Sequence, residues 1–300
     1  MAHVTVLKKE TIDTLNLTQG SIVVDCTLGS GGHAREILAR IGPSGTYIGI
    51  DADPAAIEDN AALKKEFKAT IHLCNGNFKD LPQLLKTLQV PAVDAIVADL
   101  GWRMEQFAST SGEPRGFSFG APEPLLMTYG NAAQYSFTAA DIVNEWAEED
   151  IANVIFGYGE DRKARQIAKA IVAYRTQQPF TNALELATLI KDTLKIPAYK
   201  QKTHPATRTF QALRIAVNDE FDVLKSLITD GLSLLRNNGR MSIITFHSLE
   251  DRIVKHTFRE YALDPCYSLV HKKPIIPTAE EIINNPRSRS AKLRTIKKLP

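Results

Sequence analysis

The chain has 300 residues, 44% of them hydrophobic, which is enough for one large core or for a core with a smaller companion domain. Its net charge of +2 is nearly neutral, and Cys26, Cys74 and Cys266 are odd in number and far apart, which argues against a disulfide framework or a zinc site and leaves no metal expected. No apolar run is long enough to span a bilayer and Met1 to Glu10 lacks the apolar core of a signal peptide, so a reducing cytoplasm and no membrane partner are expected.

In chain order, the first strong signal is Ser21 to His33. Ile22, Val23 and Val24 form a continuous β-branched run, as expected of a parallel strand covered on both faces. A turn containing Gly29, Gly31 and Gly32 follows, and then a helix from about His33 to Ile41 that stops at Gly42-Pro43. Gly29-Ser30-Gly31-Gly32-His33-Ala34 fits G-x-G-x-x-G/A, and Asp51 ends a second strand, Thr46 to Asp51, about twenty residues further on. This is a nucleotide pocket that offers ribose hydroxyls a carboxylate. Asp25, before the glycines, favours S-adenosylmethionine over a dinucleotide, because a carboxylate there attracts an ammonium or sulfonium and repels a pyrophosphate. The alternative for Asp25 is that it only caps the turn through backbone N–H groups.

Asp53-Pro54 opens a helix expected to reach about Phe67, with Asp53 as N-cap and proline at the first helical position. Ala69 to Cys74 reads as a third strand, Leu81 to Leu88 as a helix and Val93 to Asp99 as a fourth strand ending in another carboxylate. Four such units in series predict a doubly wound parallel α/β sheet with its ligand at the strands' carboxyl ends.

The rhythm breaks from Leu100 to about Tyr135, a stretch rich in glycine, proline, serine and aromatic residues that reads as a long loop. Helical patterns follow: a capping box at Thr138-x-x-Asp141, then Glu148 to Phe156, Asp161 to Arg175 and Thr181 to Leu194. From Thr207 a long helix, expected to end near Leu235 and be closed by Gly239, puts Phe210, Leu213, Val217, Phe221 and Leu224 on an apolar face and Gln211, Arg214 and Asn218 on a polar one. By spacing alone the polar face is solvent-exposed or part of a capping network. Met241 to Phe246 is a fifth strand, and Ser248-x-x-Asp251 reads as a capping box for a helix to Tyr261. From Asn285 to Pro300 there are six cations and no acid, either a tail suited to a polyanion or a solvated terminus.

Several segments are specific enough to carry a family resemblance: Asp25-x-Thr27-x-Gly29-x-Gly31-Gly32-His33, Gly49-x-Asp51-x-Asp53-Pro54, Arg115-Gly-Phe-Ser-Phe119, the run from His204 to Glu220, Phe246-His-Ser-Leu-Glu-Asp-Arg252, and Asn285 to Arg294. Together they resemble the bacterial 16S ribosomal RNA cytosine-N4 methyltransferase family nearly end to end. The resemblance implies a class I methyltransferase with a Rossmann-like doubly wound sheet and an inserted helical substrate-recognition domain. The expected boundaries are 1–134 with 208–300 for the S-adenosylmethionine-binding domain and 135–207 for the insertion.

By the same resemblance, Gly31, Gly32, His33, Asp51, Phe78, Asp99 and Gln106 fall at cofactor-binding positions, beside Asp25 and Gly29 of the turn. Arg115, Arg208, Arg214, Asn218, His247, Arg287 and Arg289 are expected to meet substrate RNA. Asp99 is the expected acceptor for the cytosine amine, and Trp102 has the Asp-x-x-aromatic spacing of amino-methyltransferases whose aromatic residue stacks on a base; ordinary loop packing is its other reading. The expected partner is 16S ribosomal RNA or the small ribosomal subunit rather than DNA, bound by a monomer or homodimer.

The chain departs from the family twice. Asp99-Leu-Gly-Trp-Arg-Met104 stands where the family has Asp-Leu-Gly-Val-Ser-Ser, and Pro124-Leu-Leu-Met-Thr-Tyr129 where it has Pro-Leu-Asp-Met-Arg-Met. Two readings therefore compete with an active methyltransferase. One is a divergent relative that binds RNA without methylating it; the other is an NAD-dependent oxidoreductase, which the glycine turn permits.

Overall fold

The computed structural model describes residues 4–101, 114–196 and 203–300. The chain divides into two compact units, residues 1–103 with 221–300 and residues 104–220.

The first unit is a seven-stranded sheet. Its strands are β1 (Ile22–Asp25), β2 (Thr46–Asp51), β3 (Thr70–Asn75), β4 (Val93–Asp99), β5 (Leu235–Thr245), β6 (Tyr267–Leu269) and β7 (Lys292–Lys298), in the spatial order β3-β2-β1-β4-β5-β7-β6. The first five run parallel, and β7 is antiparallel to both β5 and β6. The order reverses between β1 and β4, and that reversal opens a crevice at the strands' carboxyl ends.

Alternation within the apolar runs explains the two covered faces. Val23, Tyr47, Ala95 and Val97 pack with α1 (Lys8–Leu15) and α2 (Gly32–Ile41) through Ile12, Leu15, Ile37 and Leu38. Val24, Ile48, Ile96 and Ala98 face the other way, against α5 (Leu81–Thr87), α11 (Glu220–Leu234) and α12 (Ser248–Tyr261) through Leu85, Leu227, Ile228 and Phe258. The helix expected from Pro54 to Phe67 is two, α3 (Pro54–Asp59) and α4 (Leu63–Glu66), because Asn60 turns its amide onto the Ala56 and Gly29 carbonyls.

The basic C-terminal stretch is folded and not a free solvated terminus. It forms a 3-10 turn, Pro286–Ser290, and then β7, whose Leu293, Thr295 and Ile296 are buried while Lys292, Arg294 and Lys297 stay half-exposed. Lys298 Nζ donates to the Leu235 carbonyl at 2.8 Å, and Arg294 and Lys292 both bind Asp251 at 2.7 and 2.9 Å. Burial alone would raise the Asp251 carboxyl, but these two cations overcome it and hold it below the usual range. The short helix α13 (Ala279–Asn284) precedes the turn.

The second unit packs α6 (Ala139–Glu145), α7 (Glu148–Gly159), α8 (Ala164–Arg175), α9 (Ala183–Leu194) and α10 (Thr207–Asn218) around Ile142, Ile155, Ile167, Ile171 and Leu186. The Thr138–Asp141 capping box is present. The boundaries of this unit lie outside 135–207, because Phe117, Leu125 and Met127 on one side and Phe210, Leu213 and Val217 on the other belong to its core. The single long helix expected from Thr207 to Leu235 breaks at Asp219, which adopts φ +49, so α10 and α11 are separate and fall in different units. Among the described residues no helix is long and apolar enough to cross a membrane.

Candidate functional site

The turn after β1 is pinned to both neighbouring strands. Cys26 N–H donates to Val97 O at 2.8 Å and Leu28 N–H to Ile50 O at 3.0 Å, so the glycines are carried at the carboxyl edge of the sheet. Gly29 and Gly31 have φ of +53 and +76, the left-handed region that L side chains avoid. A Cβ at Gly31 would also collide with Asn60 Oδ1. Asn60 thus clamps the turn from beneath, a role that its mid-helix position in the sequence hid.

Asp51 is oriented by the same turn. Its Oδ2 accepts from Gly29 N–H and its Oδ1 from Asp53 N–H, both at 2.9 Å. Phe78 begins a 3-10 turn just beyond β3 and rests half-buried against the core containing Ile50 and Leu81.

Asp25 is only 1% exposed. Tyr47 Oη donates to its Oδ2 at 2.8 Å and Thr27 N–H to its Oδ1 at 3.2 Å. Burial pushes the Asp25 carboxyl up, and also raises the Tyr47 phenol and the Cys26 thiol well above their ordinary ranges. The bond from Thr27 N–H is the turn cap of one sequence reading, and the one from Tyr47 fixes the other oxygen from the neighbouring strand.

Thr27 then links this network to Asp99, whose backbone N–H donates to Thr27 Oγ1 at 2.7 Å. The carboxylate of Asp99 has Oδ2 at 3.6 Å from His33 Nε2, beyond hydrogen-bond range, and its Oδ1 is buried with no hydrogen-bond partner among the described residues. Both His33 ring nitrogens and Ser30 Oγ are likewise buried without a hydrogen-bond partner among the described residues. Each buried polar group without a partner costs about 1–3 kcal/mol. Four such atoms gathered around one glycine turn mark a place shaped for a polar ligand, as S-adenosylmethionine requires.

Thr27 is a positioning residue with a measurable consequence. Thr27→Val keeps the shape but leaves the Asp99 N–H without an acceptor, at a cost of about 1–3 kcal/mol in stability or positioning. Turnover is expected to fall roughly tenfold while cofactor affinity is kept, and Thr27→Ser is expected to restore it. Steady-state kinetics beside urea denaturation checks both.

The expected RNA-facing residues separate into groups. Arg115 donates to the Tyr129 carbonyl, and Arg208, exposed, donates to Glu160 O at 2.8 Å. Arg214 and Asn218 are 4% and 7% exposed. Arg214 forms a bidentate pair with Glu220 at 2.5 and 2.7 Å, and Asn218 bonds Met127 O at 2.7 Å and Tyr129 N–H at 3.0 Å. These polar residues of α10 are therefore not solvent-exposed, and Arg214 and Asn218 hold the α10 end and the 127–129 loop through internal bonds. Burial of a polar helical face against a loop has no signature in periodicity.

His247, not Ser248, is the N-cap of α12. Its Nδ1 accepts from Glu250 N–H at 3.4 Å, and Glu250 Oε2 accepts from His247 N–H at 3.2 Å. The capping box is one residue earlier than expected, because Asp251 is taken by Lys292 and Arg294. Arg287 and Arg289 are exposed. Trp102 and Gln106 lie outside the described residues.

Comparison with known proteins agrees with this geometry. Residues 1–299 match the model of the MraW methylase family. The chain is 40% identical over 312 residues to a ribosomal RNA small subunit methyltransferase H of Brevibacillus brevis, covering 99% of this chain and 98% of that one. It is 41% identical over 313 residues to the protein of the same name from Clostridium botulinum, covering 99% of each. Among solved structures it is similar to an rRNA methylase of Streptococcus thermophilus, with a TM-score of 0.45, 12% identity and full coverage of both chains. A glycine turn ending β1, carboxylates ending β2 and β4, and a family match from the first residue to the last but one together place this chain in the MraW methylase family.

Proposed function

We infer that this chain, an S-adenosylmethionine-dependent methyltransferase by family, methylates the N4 amine of a cytosine in 16S RNA of the small ribosomal subunit. The observation that carries the reading is the buried set of Asp99 Oδ1, His33 Nδ1 and Nε2 and Ser30 Oγ at the carboxyl ends of β1 and β4, none of which has a hydrogen-bond partner among the described residues. Such a set calls for a ligand rich in donors and acceptors.

Gly29, Gly31, Gly32 and His33 would hold the methionine part, Asp51 the ribose and Phe78 the adenine face. When bound, S-adenosylmethionine supplies an electrophilic methyl on a sulfonium. The chain's own task is to align the amine and make it nucleophilic. The N4 lone pair is delocalised into the cytosine ring, so accepting an N–H hydrogen bond at Asp99 localises it on nitrogen. Thr27 holds the Asp99 backbone in register. No covalent enzyme intermediate is required, which leaves the buried Cys26 thiol without a catalytic part.

Asp51→Ala is expected to weaken S-adenosylmethionine binding by about 1.5–3 kcal/mol, the worth of a hydrogen bond to a charged group, with loosening of Gly29 included. Calorimetry with S-adenosylmethionine, S-adenosylhomocysteine and NAD checks this, and tight NAD binding would return the oxidoreductase reading. Three free cysteines and a ribosomal substrate support a cytoplasmic place and RNA, not DNA, as the polymer.

One observation keeps a second reading in view. Where the family places an Arg, Thr128 is fully buried and donates its hydroxyl to Gly130 O at 3.0 Å, so that position has turned inward. A relative that binds the subunit without methylating it would show this. Mass spectrometry of small-subunit RNA from cells with and without the protein separates the two: loss of one N4-methylated cytosine supports transfer, and identical RNA supports binding alone.

A further inference from the structure

A second recess lies beside the cofactor crevice within the sheet unit. Its volume is about 450 Å³, and it is lined by Phe246, His247, Ile276, Ile282, Arg289 and Lys292 among others. It adjoins the reacting end of the sheet: Leu100 N–H bonds Ile244 O, and a Cβ at Gly101 would lie 3.4 Å from the Phe246 ring. Asp99 is two residues from that contact.

The lining has two chemical halves. Phe246, Ile276, Pro277 and Ile282 make an apolar wall, and Ile276 is 62% exposed. Arg289 and Lys292 stand on the other side, and no carboxylate lines the recess. Lys292 shares Asp251 with Arg294, so two cations divide one acid and a positive surplus remains. Arg289 has no hydrogen bond or ion pair among the described residues. A wall for a flat apolar group beside an exposed guanidinium with no protein partner among the described residues suits a nucleotide that presents base and phosphate together.

We propose that this recess seats a ribonucleotide flanking the target cytosine, its phosphate on Arg289 and its base on the wall formed by Phe246 and Ile276. The proposal rests on the RNA-methylating reading and adds to it a place where the neighbouring nucleotide is gripped. The recess is near enough for this, since Phe246 in its wall packs beside Gly101, two residues after Asp99. Holding that neighbour fixes the backbone on one side of the target.

The test uses the full chain and two exposed positions, Arg289→Glu and Ile276→Asp, with small-subunit RNA as probe. Each variant is expected to weaken RNA binding roughly tenfold or more, as loss of a charge-assisted contact does, with cofactor affinity by calorimetry unchanged. Arg289→Ala is expected to lower the slope of log affinity against log salt by about 0.7–0.9, one phosphate's worth. RNA affinity and salt slope unchanged in all three variants overturn the proposal. So does a loss seen with the assembled subunit but not with naked RNA, which would assign the recess to a ribosomal protein. If the variants lose RNA affinity but wild-type transfers no methyl, the recess stands and the reaction falls. If wild-type methylates and the RNA KM is the same in the variants, the reaction stands and the recess falls. Wild-type protein that binds no RNA sinks both.

Discussion

Asp99→Asn is expected to lower methyl transfer to small-subunit RNA by about 10²–10⁴-fold, the range typical of a positioned acid–base group. The substitution keeps the shape and one acceptor oxygen but removes the charge that draws an amine hydrogen away from the ring. Oδ1 of Asp99 is buried without a hydrogen-bond partner among the described residues, so none of these replaces what is lost. The backbone bond from Asp99 N–H to Thr27 Oγ1 is untouched by the change, which keeps the strand end in place. Single-turnover labelling with saturating cofactor isolates the transfer step. A rate within threefold of wild type would remove Asp99 from that step and leave it with cofactor binding alone.

The largest expected stability change is at Arg214. Its guanidinium is enclosed and spans both oxygens of Glu220, which also accepts from Tyr129 Oη at 2.8 Å. Arg214→Ala strands a mostly buried carboxylate, and breaking such a pair from one side costs about 3–5 kcal/mol. The double variant Arg214→Met with Glu220→Leu removes both charges and is expected to recover most of that loss, because a well-packed apolar pair avoids the desolvation penalty. Urea denaturation of the single and double variants measures the difference. The outcome also decides between two assignments for this residue. Unchanged stability together with weakened RNA binding would restore Arg214 to the RNA-contacting role that the family resemblance implies.

Several features were legible in the residues alone because each is local. The continuous β-branched run at Ile22 to Val24, the mostly apolar stretch from Val93 to Ala98, the proline after the Asp53 cap, and the terminating Gly42 act through φ, ψ and burial within one turn or one strand. The glycines with Asp51 and Asp99 at strand ends follow the same logic, so the nucleotide crevice and the parallel core of the sheet needed no tertiary information, whereas the choice of S-adenosylmethionine over a dinucleotide came from the family segments and not from this pattern. The Thr138–Asp141 box was equally readable, since its partners are three residues apart.

Other features depended on groups distant in sequence. Lys292 to Lys298 carries an alternating pattern, yet its charge masks a strand whose partners, β5 and β6, start some 57 and 25 residues earlier. The break at Asp219 and the inward turn of Arg214 and Asn218 require the 127–129 loop, about ninety residues away, to bring carbonyls and an N–H to the helix. Asn60 became a clamp only when Gly29 arrived beside it. Asp25 had two readings in the sequence because a carboxylate's role depends on which donor reaches it, and Tyr47 reaches it only through the pairing of β1 with β2. Periodicity and caps settle what the backbone does within a few residues. Which polar group is satisfied within the protein, and which is left for a ligand, is decided only when the distant chain has closed around it.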